Sequence, residues 1–379
     1  MSNKAYQICS RCVMDTSDPG IHVNDTGVCD HCVEFEHQVK PNWHTDERGH
    51  RELEKLIVDI KRTGKKHDFD CILGLSGGVD SSFMLHMAVK EFGLRPLVFH
   101  VDGGWNSELA VHNINVMIDK LGLDLYTEVI NWEEMRDFQL SWFKSGVPHI
   151  DIPQDHAFIA TLYNFAAKHG IRYILNGGNI STECVRYPLE YYYYGTDMFQ
   201  IRDIMKRFGT VPMKTYPFSS VFRHKIYLRY IRRLRVVKAL NYIPYNKEMA
   251  LKLLEAEYGW KPYPQKHFES RFTRFFEGYW LPERFGFDVR RVQFSSLILT
   301  GQLTREEALK KLESPPYDPA LIQQDFNYVA TKLGITQQEL KSYLTMPKKF
   351  YWDYRNQMRF IRCGAEIMRT MGLGRAGAR

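Results

Sequence analysis

No apolar run in this 379-residue chain reaches the roughly 20 residues needed to cross a bilayer, and the opening MSNKAYQICSRC has neither an apolar signal core nor a cleavage site. The expectation is a cytoplasmic protein with no membrane partner. Repeats and low-complexity tracts are also missing, which excludes solenoid and tail-like classes. Cysteine is scarce for a disulfide framework: of seven, four fall in two CxxC pairs and three are isolated, a usage that fits a reducing compartment and a metal site. The glycosylation sequons at Asn24 and Asn179 then carry no meaning. No G-x-x-x-x-G-K-[ST] occurs, because Gly64-Lys65 is followed by a second lysine, so transfer of a γ-phosphate is not the natural chemistry. Charge is only moderately one-sided. A net +7 suits an anionic substrate such as a nucleotide without requiring nucleic acid.

What is present supports a large core, with 44% hydrophobic and 14% aromatic residues. Residues 1–40 have little apolar content and many Cys, Asp and Gly, as expected of a module folded by a metal. Residues 50–185 alternate strand and helix: DCILGL, a helix from Asp80 to Phe92, PLVFHV, a helix from Glu108 to Leu121, LYTEVI, a helix from His156 to His169, and RYILN. Such alternation predicts an α/β fold with a doubly wound parallel sheet, whose ligands bind beyond the carboxyl ends of the strands. Residues 186–379 read as an α-helical region, with capping boxes at Thr304–Glu307 and Thr336–Glu339.

The chemistry concentrates at strand ends. If Leu75 closes the first strand and Asp80 opens a helix, Ser76, Gly77, Gly78 and Val79 form a turn over the helix N-terminus, with Ser81 and Ser82 adding hydroxyls. Glycine permits close backbone approach and the helix dipole favours negative charge, so this is a phosphate cradle. HVDGGW places Asp102 and Gly103 after the second strand, and NGGN places Asn176, Gly177, Gly178 and Asn179 after the fourth. Both face the same crevice, although each Gly-Gly also reads as an ordinary turn.

CSRC at Cys9 and Cys12, and CDHC at Cys29 and Cys32 sixteen residues on, supply four thiolates for a structural Zn²⁺. An iron–sulfur cluster or a redox dithiol pair fits the same spacing. RHKIYLRYIRRLRVVK, residues 223–238, reads as one amphipathic basic helix, open to RNA, a diphosphate, anionic lipid, an acidic subunit or plain solvent. YYYYG at 191–195 is β-prone and aromatic, and reads as packing rather than ligand stacking. Cys184 is either a thiol nucleophile or an inert buried cysteine. GLGRAG near the C-terminus lacks the leading strand and following helix of a dinucleotide site, and reads as a tail.

SGGVDSS resembles the pyrophosphate loop of the PP-loop ATPases, which cleave ATP between the α and β phosphates, adenylate a carbonyl-type oxygen and let a nitrogen or sulfur nucleophile displace AMP. With ICSRCVMDTSDPGI, the 242–280 run and FSSLILTGQLTREEALKKLESPPYDP, nearly the whole chain resembles the N-acetyl sugar amidotransferases of bacterial O-antigen and surface-polysaccharide biosynthesis. The resemblance implies ATP, Mg and Zn as cofactors and a nucleotide-linked sugar whose acetamido group becomes acetamidino. Ammonia would come from a glutaminase partner through a barrel subunit. By position in the crevice, Asp80 and Asp102 are expected to meet magnesium, and Glu183, His156 and His267 to steer a proton; Lys266, His267, Glu269, Arg271 and Thr273, set among aromatics, suit an anionic, polyhydroxylated substrate with apolar faces. A tRNA-modifying thiolase shares the loop but needs sulfur-handling thiols, and no third CxxC exists. A zinc-dependent scaffold that binds nucleotide without turning it over is the non-catalytic alternative.

Overall fold

The computed structural model describes residues 5–370, so GLGRAG lies outside the described residues. Five parallel strands form one sheet: β1 (Cys71–Gly74), β2 (Pro96–Asp102), β3 (Leu125–Val129), β4 (Tyr173–Leu175) and β5 (Arg235–Val237), in the order β3-β2-β1-β4-β5. Registers pair Cys71 with Pro96, Val98 with Leu125, Ile72 with Ile174 and Tyr173 with Arg235. Because successive strand side chains point to opposite faces, β1 feeds two cores. Cys71, Leu73 and Leu75 face one, under helices Glu47–Gly64, Val79–His86, Glu108–Leu121 and Lys247–Tyr258. Ile72, with Phe99 and Ile174, faces the other, under Trp132–Ser145, Ile152–Lys168 and Met198–Phe208. The chain winds outward from β1 to β3 and returns beside β1 at β4, which opens a crevice at the carboxyl ends of β1 and β4.

The fifth strand corrects the reading of 223–238 as a single helix. Helix Arg223–Ile231 stops at Arg233, whose φ of 54° is left-handed; Leu234 is buried and Arg235–Val237 join the sheet. The sheet thus takes a strand from the stretch assigned to the C-terminal region beyond residue 185, and helix Lys247–Tyr258 covers one of its faces. The second capping box is half formed. Thr336 accepts the Glu339 N–H (3.0 Å), but the Glu339 carboxylate accepts from Tyr343 (2.6 Å), whereas Thr304 and Glu307 cap reciprocally.

A third core holds the C-terminal helices, including Arg271–Phe275, Arg290–Leu299 and Pro319–Leu333, around Phe272, Trp280 and Phe287. All four CxxC cysteines are buried in it, so the N-terminal segment has no separate interior. Ser295 Oγ accepts from the Val13 N–H (3.2 Å), Arg291 pairs with Asp15 (3.0 Å), and Arg305 donates to the Cys9 and Cys12 carbonyls (both 3.0 Å). No helix among the described residues is long and apolar enough to cross a membrane.

Candidate active site and metal centre

Strand β1 delivers its chain end to the Ser76–Ser82 loop. Gly77 has φ +83°, and a Cβ there would meet the Ala110 carbonyl oxygen at 2.9 Å, so only glycine fits without strain. Gly78 is the N-cap of helix Val79–His86 and brings no capping side chain. The first amides of that helix lack intrahelical acceptors by construction, as an anion cradle requires. Ser76 and Ser81 hydroxyls lie 3.1 Å apart at the rim. Ser82 is not at the rim: it is buried and accepts from Trp260 Nε1 (3.2 Å). Tyr263 OH braces the loop by donating to the Gly77 carbonyl (3.1 Å).

The loop after β4 lies directly against this turn, for a Cβ on Gly177 would come within 2.6 Å of the Asp80 carbonyl carbon. Asn176 Oδ1 accepts from the Gly178 N–H (2.7 Å), and Asn179, buried, caps the short helix Ile180–Glu183. At the end of β2, Asp102 Oδ1 accepts from the Gly104 N–H (2.7 Å) and Asn106 Nδ2 (3.3 Å). His100 links that end to β1 through the Leu75 carbonyl (2.8 Å). Gly103 packs against Phe158 and Gln154.

Over these strand ends runs the segment 266–271, tied to the β2 loop by Ser107 N–H to Glu269 O (2.9 Å) and Arg271 N–H to Trp105 O (2.8 Å). Lys266 Nζ donates to Glu183 Oε1 (2.7 Å) and stands 3.5 Å from Asp80 Oδ2, while Tyr245 OH donates to Asp80 Oδ1 (2.6 Å). Burial works against the Glu183 charge, but the Lys266 cation outweighs it and brings its pKa down to about 2. Burial also opposes the Lys266 charge; Glu183 and then Asp80 reverse that, so it is held protonated. His267, at φ 65°, pairs with Glu277 (3.0 Å), which raises its pKa to about 9 against the effect of burial. At neutral pH His267 therefore already carries its proton and is no base. Glu269 differs from its neighbours. Its carboxylate lies over the loop, 2.9 Å from where a Gly78 Cβ would be, and burial raises its pKa.

Three residues expected here serve elsewhere. His156 is buried between backbone partners, with Nδ1 on the Gly195 carbonyl (2.6 Å) and Nε2 accepting from the Ser219 N–H (3.0 Å), so neither nitrogen is available. Arg271 and Arg274 both bind the buried Asp325 carboxylate (2.8 and 2.7 Å), and Arg271 also stacks on Tyr328. Thr273 donates to Asp151 (2.6 Å) below the surface. Tyr245, Tyr263 and Glu277 escaped the sequence reading because each is set by packing between distant segments.

The four cysteine sulfurs lie within 4.8 Å of one another, with Cys9–Cys32 at 3.8 Å and Cys12–Cys29 and Cys29–Cys32 at 3.6 Å. A tetrahedron of Zn–S bonds of about 2.3 Å places its sulfurs about 3.8 Å apart, so the set fits zinc with no open position.

Residues 52–214 match the family model described as NAD synthase, and residues 269–368 the model described as LPS biosynthesis protein WbpG-like, C-terminal domain. The α/β half thus has an NAD synthase-like PP-loop fold, followed by a helical region. An uncharacterized protein of Methanocaldococcus jannaschii is 23% identical over 319 residues, 81% of this chain and 93% of that protein. Among solved structures, the NH3-dependent NAD synthetase from Campylobacter jejuni aligns at 15% identity and a TM-score of 0.29, covering 79% of this chain and 98% of that one. The NMN synthetase from Francisella tularensis aligns at 15% identity and 0.28, covering 57% and 98%.

Proposed function

We propose that this chain is an ATP-dependent amidotransferase of lipopolysaccharide biosynthesis that converts an acetamido group on a nucleotide-linked sugar into an acetamidino group. The observation that carries the reading is one crevice with two sources: the loops after β1 and β4 belong to the NAD synthase-like part, and Glu269, lying on Gly78, opens the WbpG-like part. An amide carbonyl resists ammonia because its nitrogen lone pair is delocalised and its oxygen leaves poorly. Attack of that oxygen on the α-phosphorus of ATP releases pyrophosphate; ammonia then adds to the carbon, and AMP departs with the former amide oxygen. Amides and hydroxyls of Ser76, Gly77, Gly78, Val79, Asp80 and Ser81 would hold the departing pyrophosphate, where charge develops. Asp102 and Asp80 are the carboxylates for a nucleotide-borne magnesium, which neutralises phosphate charge and takes one or two protein ligands. Lys266 adds a fixed cation beside them.

Glu269 is the proton acceptor in this scheme, since Glu183 is tied to Lys266 and His267 is already charged. Ammonia is supplied by a glutaminase subunit through a barrel subunit. A thiolase is the weaker reading on the thiols themselves: Cys71 is buried inside β1, and burial pushes Cys184 up to about 12. With an N-acetylated nucleotide sugar, Mg-ATP and high ammonium, the chain alone should release AMP and pyrophosphate and exchange the acetamido oxygen for nitrogen. Ser76→Ala and Asp80→Ala should each lower turnover about 100-fold. ADP and phosphate as products would refute the reading, and AMP formed only when tRNA is added would favour the thiolase.

A further inference from the structure

Between Asp203 and Glu248 the chain has eleven Lys or Arg residues and no acid. The middle of this stretch is helix Arg223–Ile231, wound wide enough that the Arg232 N–H reaches the Tyr227 carbonyl five residues back (3.0 Å). In a helix closed by such bonds, residues four or five apart return to one side. Leu228 turns inward and is buried. Phe222, Ile226 and Ile231 share the outward side and are 69%, 44% and 67% exposed, with Tyr230 at 52% beside them. Lys225, Arg229, Arg232 and Arg233 surround them, all exposed. Among the described residues none of these four cations has a carboxylate partner; Arg235, on the edge strand β5, is the first to meet one, Asp59 at 3.7 Å.

We propose that this face docks on an anionic membrane surface, with Phe222, Ile226 and Ile231 entering the acyl boundary and the surrounding cations meeting lipid phosphates. Large apolar side chains protruding from an unneutralised cationic ring are what an interfacial helix presents to a bilayer. Two aliphatic isoleucines have little to offer RNA, whose protein contacts are phosphate-directed cations and stacking aromatics. The contact is peripheral, so the absence of a spanning helix among the described residues does not oppose it, and it departs from the expectation that the chain has no membrane partner. The crevice is built from other elements, so the proposal is independent of the reaction proposed above.

The test is cosedimentation of the full chain with vesicles. It should bind vesicles containing phosphatidylglycerol at about 0.1 M salt, release at about 0.5 M, and ignore pure phosphatidylcholine. R229Q with R233Q should weaken binding about 30-fold. F222S with I231S should weaken it at least about 10-fold, with thermal unfolding unchanged because these side chains are exposed. No vesicle binding by the wild type, equal binding to neutral vesicles, or binding unaffected by both double variants would overturn the proposal. Retention by single-stranded RNA, or by the glutaminase and barrel subunits, that both double variants abolish while vesicles do not bind would reassign the face.

Discussion

Replacing His267 by Asn tests the charge pattern of the crevice, because Asn tolerates the left-handed backbone found there and carries no charge. Burial disfavours the imidazolium, but Glu277 at 3.0 Å lifts the pKa from 6.5 to about 9. A raised folded-state pKa contributes stability that is fully present below 6.5 and is lost as the pH rises through 9. At about 1.4 kcal/mol per pH unit, the rise sets a ceiling of about 3 kcal/mol. The side chain is 31% exposed, and solvent screening brings this to about 1–2 kcal/mol. Urea unfolding of both proteins at about pH 6 and about pH 9.5 measures it: the wild type should lose about 1–2 kcal/mol more than the variant over that interval. Parallel pH profiles would refute the ion pair and reopen His267 as a base.

Cys9→Ser should release about one equivalent of zinc per chain and lower solubility, since all four cysteines are buried in the third core; metal analysis showing iron, or no metal, in anaerobically purified wild type would contradict it. Gly177→Ala should raise the KM for ATP at least about 10-fold by pushing the β4 loop off the start of helix Val79–His86, and an unchanged KM would show that the two loops do not share a ligand. Cys184→Ala and Cys363→Ala, singly and together, should leave turnover largely intact, whereas a loss above about 100-fold in folded protein would point to a thiol nucleophile.

Strands β1, β2 and β4 were legible because each is a short apolar run bounded by Gly, Pro or polar residues and buried on both faces, whereas β3, at the sheet edge with Tyr126 and Val129 exposed, was legible from its β-prone residues between turn signals. The Ser76–Ser82 turn and the CxxC pairs were legible because local spacing alone fixes their geometry. β5 was hidden: three residues beginning with an arginine continue the basic pattern of the preceding helix, and only the turn at Arg233 separates them. The crevice wall was only partly readable. Lys266, His267 and Glu269 stand out in sequence, but their division into a paired cation, a histidine whose proton Glu277 holds and a carboxylate whose pKa burial raises depends on Glu183, Glu277 and the cover over Gly78, which folding brings together. His156 and Arg271 misled for the same reason, because only tertiary contacts reveal that a backbone amide or a buried aspartate has claimed them.

The seating of the cysteine cluster on the far end of the chain bears on biogenesis. Val13 meets Ser295 across 282 positions, and Cys9 and Cys12 meet Arg305 later still. At roughly 5 to 20 residues per second, translation supplies these partners on the order of 15 to 60 s after the thiols emerge. Until then the four sulfurs lack the helices that bury them in the folded chain, which would leave them open to oxidation or to the wrong ion. Nascent chains stalled before residue 290 should react with a thiol probe at all four positions, and protection at that length would show that the knuckles close without their helical seat.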